Sequence, residues 1–219
     1  MKAYLESDDI EKMEKKASCF RDRLLIRLLF RSADRISEAL NLEVKDIDFK
    51  QGTITILHLK SRIKLNCRQC GANLGKGHAF CPKCGVKIDR PSTKGQEYRR
   101  MRTIPLDTDT LKLLQDYIER GGPVKRGERT LIFNINRHRA WQIIKTCAEK
   151  AGLPKLINPE TGKIHNVSPH KLRDAFAVRA MKADSSGEGQ RFLQGHLGHS
   201  SFNTTAKYRK ISGSEHREW

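Results

Sequence analysis

Two Cys-x-x-Cys-Gly knuckles, Cys67-Arg68-Gln69-Cys70-Gly71 and Cys81-Pro82-Lys83-Cys84-Gly85, stand ten residues apart in a stretch with little apolar periodicity. Such a segment has too little core of its own to fold, so its shape depends on what the four thiols hold. Two knuckles of this spacing bring four thiolates to the corners of a tetrahedron, which suits Zn²⁺. The glycine after each pair lets the backbone turn tightly around an ion, and Lys76, Lys83 and Lys87 put positive charge beside it. Cysteine fills all four coordination positions and none is left for water, so a single structural Zn²⁺ is expected. Redox dithiols share the spacing but need a different context. The other two cysteines, Cys19 and Cys147, read as small buried apolar residues.

The cysteine-rich stretch interrupts a strand pattern. Asp46 to Ile56 reads as two short strands about the Gln51-Gly52 turn, with β-branched alternation continuing to about Lys60. Strand character returns from Arg99 to Leu106. One main domain over 1–219 is therefore expected, with residues 61–93 a zinc-ribbon insertion within its β-hairpin.

Elsewhere helical signals dominate. Ser7-Asp8-Asp9 reads as an N-cap, and Arg21 to Phe30 carries leucines and isoleucines at helical spacing. Further helices are expected over Arg35–Leu42, Asp107–Arg120, Asn136–Ala151, Pro169–Ala183 and Glu188–His196, with loops at Gly152–Ser168 and Asp184–Gly187. The expected fold class is α+β, mostly helical, with a small antiparallel sheet whose edge hairpin carries the ribbon.

Lys and Arg number 43 against 25 Asp and Glu, a net charge of +18. That balance favours a polyanionic partner through counterion release, and nucleic acid is the leading one. No stretch approaches the roughly 20 apolar residues of a membrane span, and Met1–Asp9 lacks a secretory apolar core, so a cytoplasmic, DNA-associated location is expected.

Four separated pieces carry a resemblance to a known family. Arg35-Ile36-Ser37-Glu38-Ala39-Leu40 resembles the first arginine motif of the tyrosine recombinases, the phage-integrase family. His170-Lys171-Leu172-Arg173 resembles their His-x-x-Arg box, and Leu197-Gly198-His199-Ser200-Ser201 their Leu-Gly-His motif. Thr204-Thr205-Ala206-Lys207-Tyr208 is similar to the nucleophile segment and follows His199 at the family's spacing of nine residues.

The resemblance implies a site-specific DNA recombinase or integrase that cleaves and rejoins strands through a 3′-phosphotyrosine on Tyr208. Arg35 and Arg173 would present planar forks of donors to the phosphate, where a lysine gives only a point charge. His170 would take the acid–base task and His199 would stabilise the phosphate, with Glu38 as a supporting acid. A hairpin lysine would protonate the 5′-hydroxyl leaving group. Two candidates compete: Lys60, at the family's distance from the Gln51-Gly52 turn, is preferred, and Lys94, in a Lys-Gly pair after the ribbon, is the alternative. The resemblance also implies double-stranded DNA as partner, a homo-oligomer (tetramer) on DNA and no nucleotide cofactor, since the phosphotyrosine conserves the bond energy.

Family members usually carry a separate helical domain ahead of the catalytic one. The first helix here is expected within ten residues of Met1, which leaves either a fragment or a minimal form with weakened DNA affinity. Another class of function is a DNA-binding or regulatory protein with a vestigial active site, against which the intact set of two arginines, two histidines and the tyrosine argues. A ribbon that recruits protein partners explains none of the other motifs.

Overall fold

Leu24, Leu25, Ile26, Leu28 and Leu29 have no exposed surface, so the helix that carries them is packed on nearly every side. The structure, a computed structural model, describes residues 2–75, 77–89, 92–158, 161–199 and 201–212; the side chains of 58–64, 92–100 and 210–212 fall outside the description. It divides into two compact units, Met1–Ile56 with Arg102–Trp219, and Leu57–Met101.

The helices are α1 (Ser7–Lys15), α2 (Phe20–Arg31), α3 (Ile36–Ala39), α4 (Thr108–Glu119), α5 (Arg137–Lys150), α6 (Pro169–Ala183), α7 (Gly187–Leu197) and α8 (Phe202–Ser212). The strands are β1 (Ile47–Asp48), β2 (Thr53–Asn66), β3 (Asn73–Leu74), β4 (Ser92–Pro105), β5 (Val124–Arg126), β6 (Arg129–Leu131), β7 (Leu156–Ile157) and β8 (Ile164–His165). Helix α2 contacts α1, α3, α4 and α6. Each of its buried leucines contributes about 1.5–3 kcal/mol from removal of apolar area from water.

All strand pairs with a defined register are antiparallel. β1 runs against β2 with Ile47 opposite Ile54, and β3 against β2 with Leu65 opposite Leu74. β4 also pairs with β2. Gly52, at φ +68°, makes the turn into β2 in a left-handed conformation, and its carbonyl accepts the Leu106 N–H at 2.9 Å.

A second, smaller core lies apart from the one around α2. Ala33, Ala177, Val178, Met181, Leu193, Leu197 and Tyr208 bury one another and tie α6, α7 and α8 together. Tyr208, the nucleophile expected from the sequence, is thus also a packing residue of this core.

Several expectations need correction. Helix α1 is capped by Glu6, not by Ser7-Asp8-Asp9, because Asp9 at the third helical position accepts the Glu6 N–H at 3.0 Å. The helix expected over Arg35–Leu42 is a single turn, and Arg35 is its N-cap, outside it. Strands β2 and β4 run further into the cysteine-rich stretch than the pattern suggests, to Asn66 and from Ser92. The Gly152–Ser168 loop contains the β7–β8 pair, and a β5–β6 hairpin follows α4. Cys147 is buried as expected, but Cys19 is exposed at the N-cap of α2.

Candidate active site and candidate metal centre

The first arginine arrives through a backbone feature that composition does not announce. After α2 ends at Ser32, Ala33 takes φ 52°, a left-handed conformation that costs a non-glycine residue roughly 1–2 kcal/mol. The Ala33 side chain is fully buried in the second core, and its carbonyl accepts Arg173 Nη1. The turn delivers Asp34 inward and Arg35 to the N-terminus of α3, with 29% of the Arg35 side chain exposed.

Glu38 ties this end together. One carboxylate oxygen accepts Arg35 Nη1 at 2.9 Å, and the other accepts the Arg35 N–H at 3.1 Å and Arg102 Nη2 at 2.7 Å. Arg102 Nη2 also reaches Asp34 Oδ1 at 2.8 Å. Asp34 is fully buried, which raises its carboxyl to about 7 against the pull of Arg102 and of the Ser32 hydroxyl. The order Asp34, Arg102, Glu38, Arg35 is a continuous hydrogen-bonded network that fixes the half-buried Arg35 guanidinium.

The His-x-x-Arg box starts α6. Ser168 is its N-cap and Pro169 its first residue, so His170 lies in the first turn, 63% exposed at its side chain, while Arg173 points into the protein at 1% exposure. Arg173 Nη2 donates to the Leu197 carbonyl, so the guanidinium bridges the Ala33 turn and the end of α7. Two of its five N–H donors are thereby used in bracing backbone. Burial and the nearby Arg35 lower the guanidinium to about 10, and it remains charged at neutral pH. Arg173→Ala is expected to cost about 3–5 kcal/mol, read as a lowered midpoint in urea unfolding, because two buried carbonyls lose their donor.

The Leu-Gly-His motif is the C-terminal cap of α7. Leu197 is fully buried and offers its carbonyl to Arg173; Gly198 then turns left-handed at φ +61°. A Cβ at Gly198 would sit 3.1 Å from Arg102 Nη1, so a side chain there would be both strained and crowded. The turn presents His199, whose Nδ1 lies 2.9 Å from the Thr205 hydroxyl and whose ring stacks on Tyr208 with centroids 6.4 Å apart. Burial, then the positive charge of Arg173 and Arg35, pushes the His199 imidazole down to about 4. It is neutral at pH 7.

Tyr208 is 1% exposed on α8. Its hydroxyl donates to Asp174 Oδ1 at 2.7 Å, and Lys207 Nζ lies 4.7 Å from the ring centroid. Burial and the Asp174 carboxylate raise the phenol well above its ordinary value.

Arg35, Arg173, His199 and Tyr208 are therefore assembled in one unit, with His170 beside them through Asp174, which lies 3.7 Å from His170 Nε2. Lys60 is in β2 and Lys94 in β4, and the side chains of both lie outside the described residues. Sequence reasoning missed Asp34, Arg102, Asp174 and Thr205. Arg102 looks no different in sequence from Arg99 and Arg100.

The cysteines form a site of another kind. Their four sulfurs lie within 4.8 Å of one another, with Cys67 and Cys84 at 3.7 Å and Cys70 and Cys81 at 3.5 Å. A Zn–S bond of about 2.3 Å in a tetrahedron separates sulfurs by about 3.8 Å, so the set matches a metal of that size. The knuckles are built alike: Gly71 N–H donates to the Cys67 carbonyl and Gly85 N–H to the Cys81 carbonyl, both at 2.9 Å. Gly71 and Gly85 take φ +71° and +69°. The backbone N–H groups of Cys84 and Lys83 bring the Cys81 thiol down to about 6, while burial and the neighbouring thiols, against the Val86 N–H, push that of Cys84 up to about 12. Four cysteines this close could hold a metal ion.

The model of the phage integrase family matches residues 3–70 and 73–215 of this chain. The chain belongs to the phage integrase family. Within it, the tyrosine recombinase XerD of Staphylococcus saprophyticus is 25% identical over 224 residues, covering 99% of this chain and 57% of that protein. The chain spans little more than half the length of such relatives. Among solved folds, XerA recombinase superposes with a TM-score of 0.63 at 20% identity, covering 99% of this chain and 64% of that one. XerH recombinase, bound to a palindromic difH substrate after cleavage, also gives 0.63, at 21% identity and with 99% and 52% covered. The tyrosine-recombinase catalytic fold, about half helical with small antiparallel sheets, is that of this integrase-family chain.

Proposed function

We propose that this chain is the catalytic domain, over 1–219, of a site-specific DNA recombinase or integrase that breaks and rejoins strands through Tyr208. The observation that carries it is one buried tyrosine with His199 stacked on its ring and Arg173 and Arg35 near enough to act on its phenol through space. The Tyr208 oxygen attacks the scissile phosphorus, an O–P bond to tyrosine forms, and the bond to the 5′-oxygen breaks. Arg35 and the unused donors of Arg173 neutralise the non-bridging oxygens as charge builds, and His199 adds a neutral hydrogen bond. His170 exchanges the proton of the Tyr208 hydroxyl, and Glu38 holds Arg35 in place. Lys60, or alternatively Lys94, gives the 5′-oxygen its proton. The 5′-hydroxyl of a second strand reverses the step, and no nucleotide cofactor is consumed.

The partner is double-stranded DNA, supported by the net charge of +18 and by relatives described on DNA. The working form is a homo-oligomer, a tetramer on DNA, in the cytoplasm. Among the described residues no helix is long and apolar enough to cross a membrane. Residues 61–93 are a zinc ribbon within the hairpin, where Cys67, Cys70, Cys81 and Cys84 hold one structural Zn²⁺ that staples the segment.

The test is incubation of the protein with a pool of nicked suicide duplexes of randomised sequence. A covalent band on a denaturing gel, mapped by mass spectrometry to the Tyr208 peptide, is expected. Retarded duplex on a native gel with no covalent band would favour the DNA-binding alternative and overturn the strand-exchange reading.

A further inference from the structure

The hydroxyl proposed to attack DNA is already engaged. Tyr208 donates to Asp174 Oδ1 at 2.7 Å, and the same oxygen lies 3.7 Å from His170 Nε2. The other oxygen of Asp174 faces Lys171 Nζ at 3.5 Å. Asp174 follows Arg173 directly on α6, so the carboxylate sits between a histidine and a tyrosine that the reaction needs.

We propose that Asp174 is a positioning residue that restrains the nucleophile, holding the Tyr208 hydroxyl as a hydrogen-bond donor and keeping it protonated until DNA is bound. This rests on Tyr208 being the nucleophile. A carboxylate that accepts from a phenol stabilises the neutral phenol and opposes the phenolate, which would place two negative charges within hydrogen-bond distance. The positive groups about Tyr208 act in the opposite sense: Arg173 and Arg35 through space, and Lys207 over the ring. His199 stacks on the ring and is neutral at pH 7, while His170 and Lys171 face the carboxylate itself. The site is therefore balanced between cations that favour the nucleophilic form and, against them, burial and one anion that withhold it. A scissile phosphate between Arg35 and Arg173 would compete for the hydroxyl, and Asp174 has Lys171 and His170 to turn to when the tyrosine leaves.

The test separates this role from the reaction. The chain has four tyrosines, and ring-¹³C tyrosine labelling with Tyr208→Phe as the assignment control follows the ionisation of Tyr208 alone by NMR. In Asp174→Asn and Asp174→Ala the Tyr208 resonance is expected to titrate at least about one pH unit lower than in the wild-type protein. With nicked duplexes, Asp174→Asn is expected to form adduct roughly three- to tenfold faster at pH 7, its rate–pH profile displaced to lower pH. An unchanged Tyr208 titration in two folded variants overturns the proposal, and so does an adduct rate that falls in Asp174→Asn, since that would make the carboxylate a base. A protein that makes no adduct at all overturns the strand-exchange reading instead, and leaves the NMR titration to decide what Asp174 does to Tyr208.

Discussion

Tyr208→Phe is expected to form no detectable covalent adduct with nicked duplexes, a loss of at least on the order of 10⁴ against the wild-type protein, with DNA retention on native gels unchanged. The substitution removes only the hydroxyl proposed as nucleophile. The ring stays in the second core with Ala33, Ala177, Val178 and Leu197, and its stacking on His199 needs no hydroxyl. The stability change should be small, about 0.5–1.5 kcal/mol, because Asp174 loses one donor but retains Lys171 within 3.5 Å and some solvent access. A calorimetric melt beside the adduct gel checks both halves. A variant that still formed adduct would show the nucleophile to be another residue; one that lost adduct only through unfolding would show a melt far below the wild-type value.

The long elements were legible because their sequence signals are local. α4, α5 and α6 are each opened by a side chain of capping type, Asp107, Asn136 and Ser168, and their bounds fall within a residue of those expected. The first of these accepts the Thr110 N–H and the second that of Arg139. Where the expectation failed, a distant partner decided the local form. The pattern places Arg35 inside a helix because its neighbours are good helix formers, but the left-handed Ala33 and the Glu38 carboxylate, which accepts the Arg35 N–H, make Arg35 the N-cap and start the helix at Ile36. Nothing about an alanine predicts φ 52°; that conformation is held by an arginine 140 residues away.

The same division runs through the site. Arg35, His170, Arg173, His199 and Tyr208 stand out as candidates because they lie in short motifs in a fixed order, and the fold brings them into one unit. Asp34, Arg102 and Asp174 do not stand out, because each acts through a partner that only folding supplies: Glu38 and Arg102 are 64 residues apart, and Tyr208 and Asp174 are 34 apart. Motif reasoning also missed the double duty of Arg173. It predicts a phosphate clamp, whereas two of the donors hold the Ala33 and Leu197 carbonyls, so the same guanidinium carries the geometry of both neighbouring motifs.

Removing the Zn²⁺ proposed for the four cysteines is expected to unfold the Cys67–Val86 segment while leaving the helical unit folded. Its four sulfurs are held by two small knuckles with little apolar area between them; Phe80 and Val86 are exposed, at 59% and 37%, and cannot substitute for an ion. A segment without a core draws its folding free energy from ligation, and a site of four thiolates should bind Zn²⁺ with Kd on the order of 10⁻⁹ M or tighter at pH 7. The helical unit has its own cores around α2 and Tyr208, so its stability does not depend on the ion. Native mass spectrometry should find one Zn²⁺ per chain, lost in Cys81→Ser. Hydrogen exchange after chelation should show lost protection at the Gly71 and Gly85 amides, with Leu28 and Val178 unchanged. Protection that survives both chelation and Cys81→Ser would mean that hydrogen bonding alone holds the knuckles, and would remove the argument for a structural ion. Acid should act as the chelator does. Ligation needs deprotonated thiols, so a bound metal is expected to be released as pH falls, and the segment should open at low pH while the helical unit remains intact.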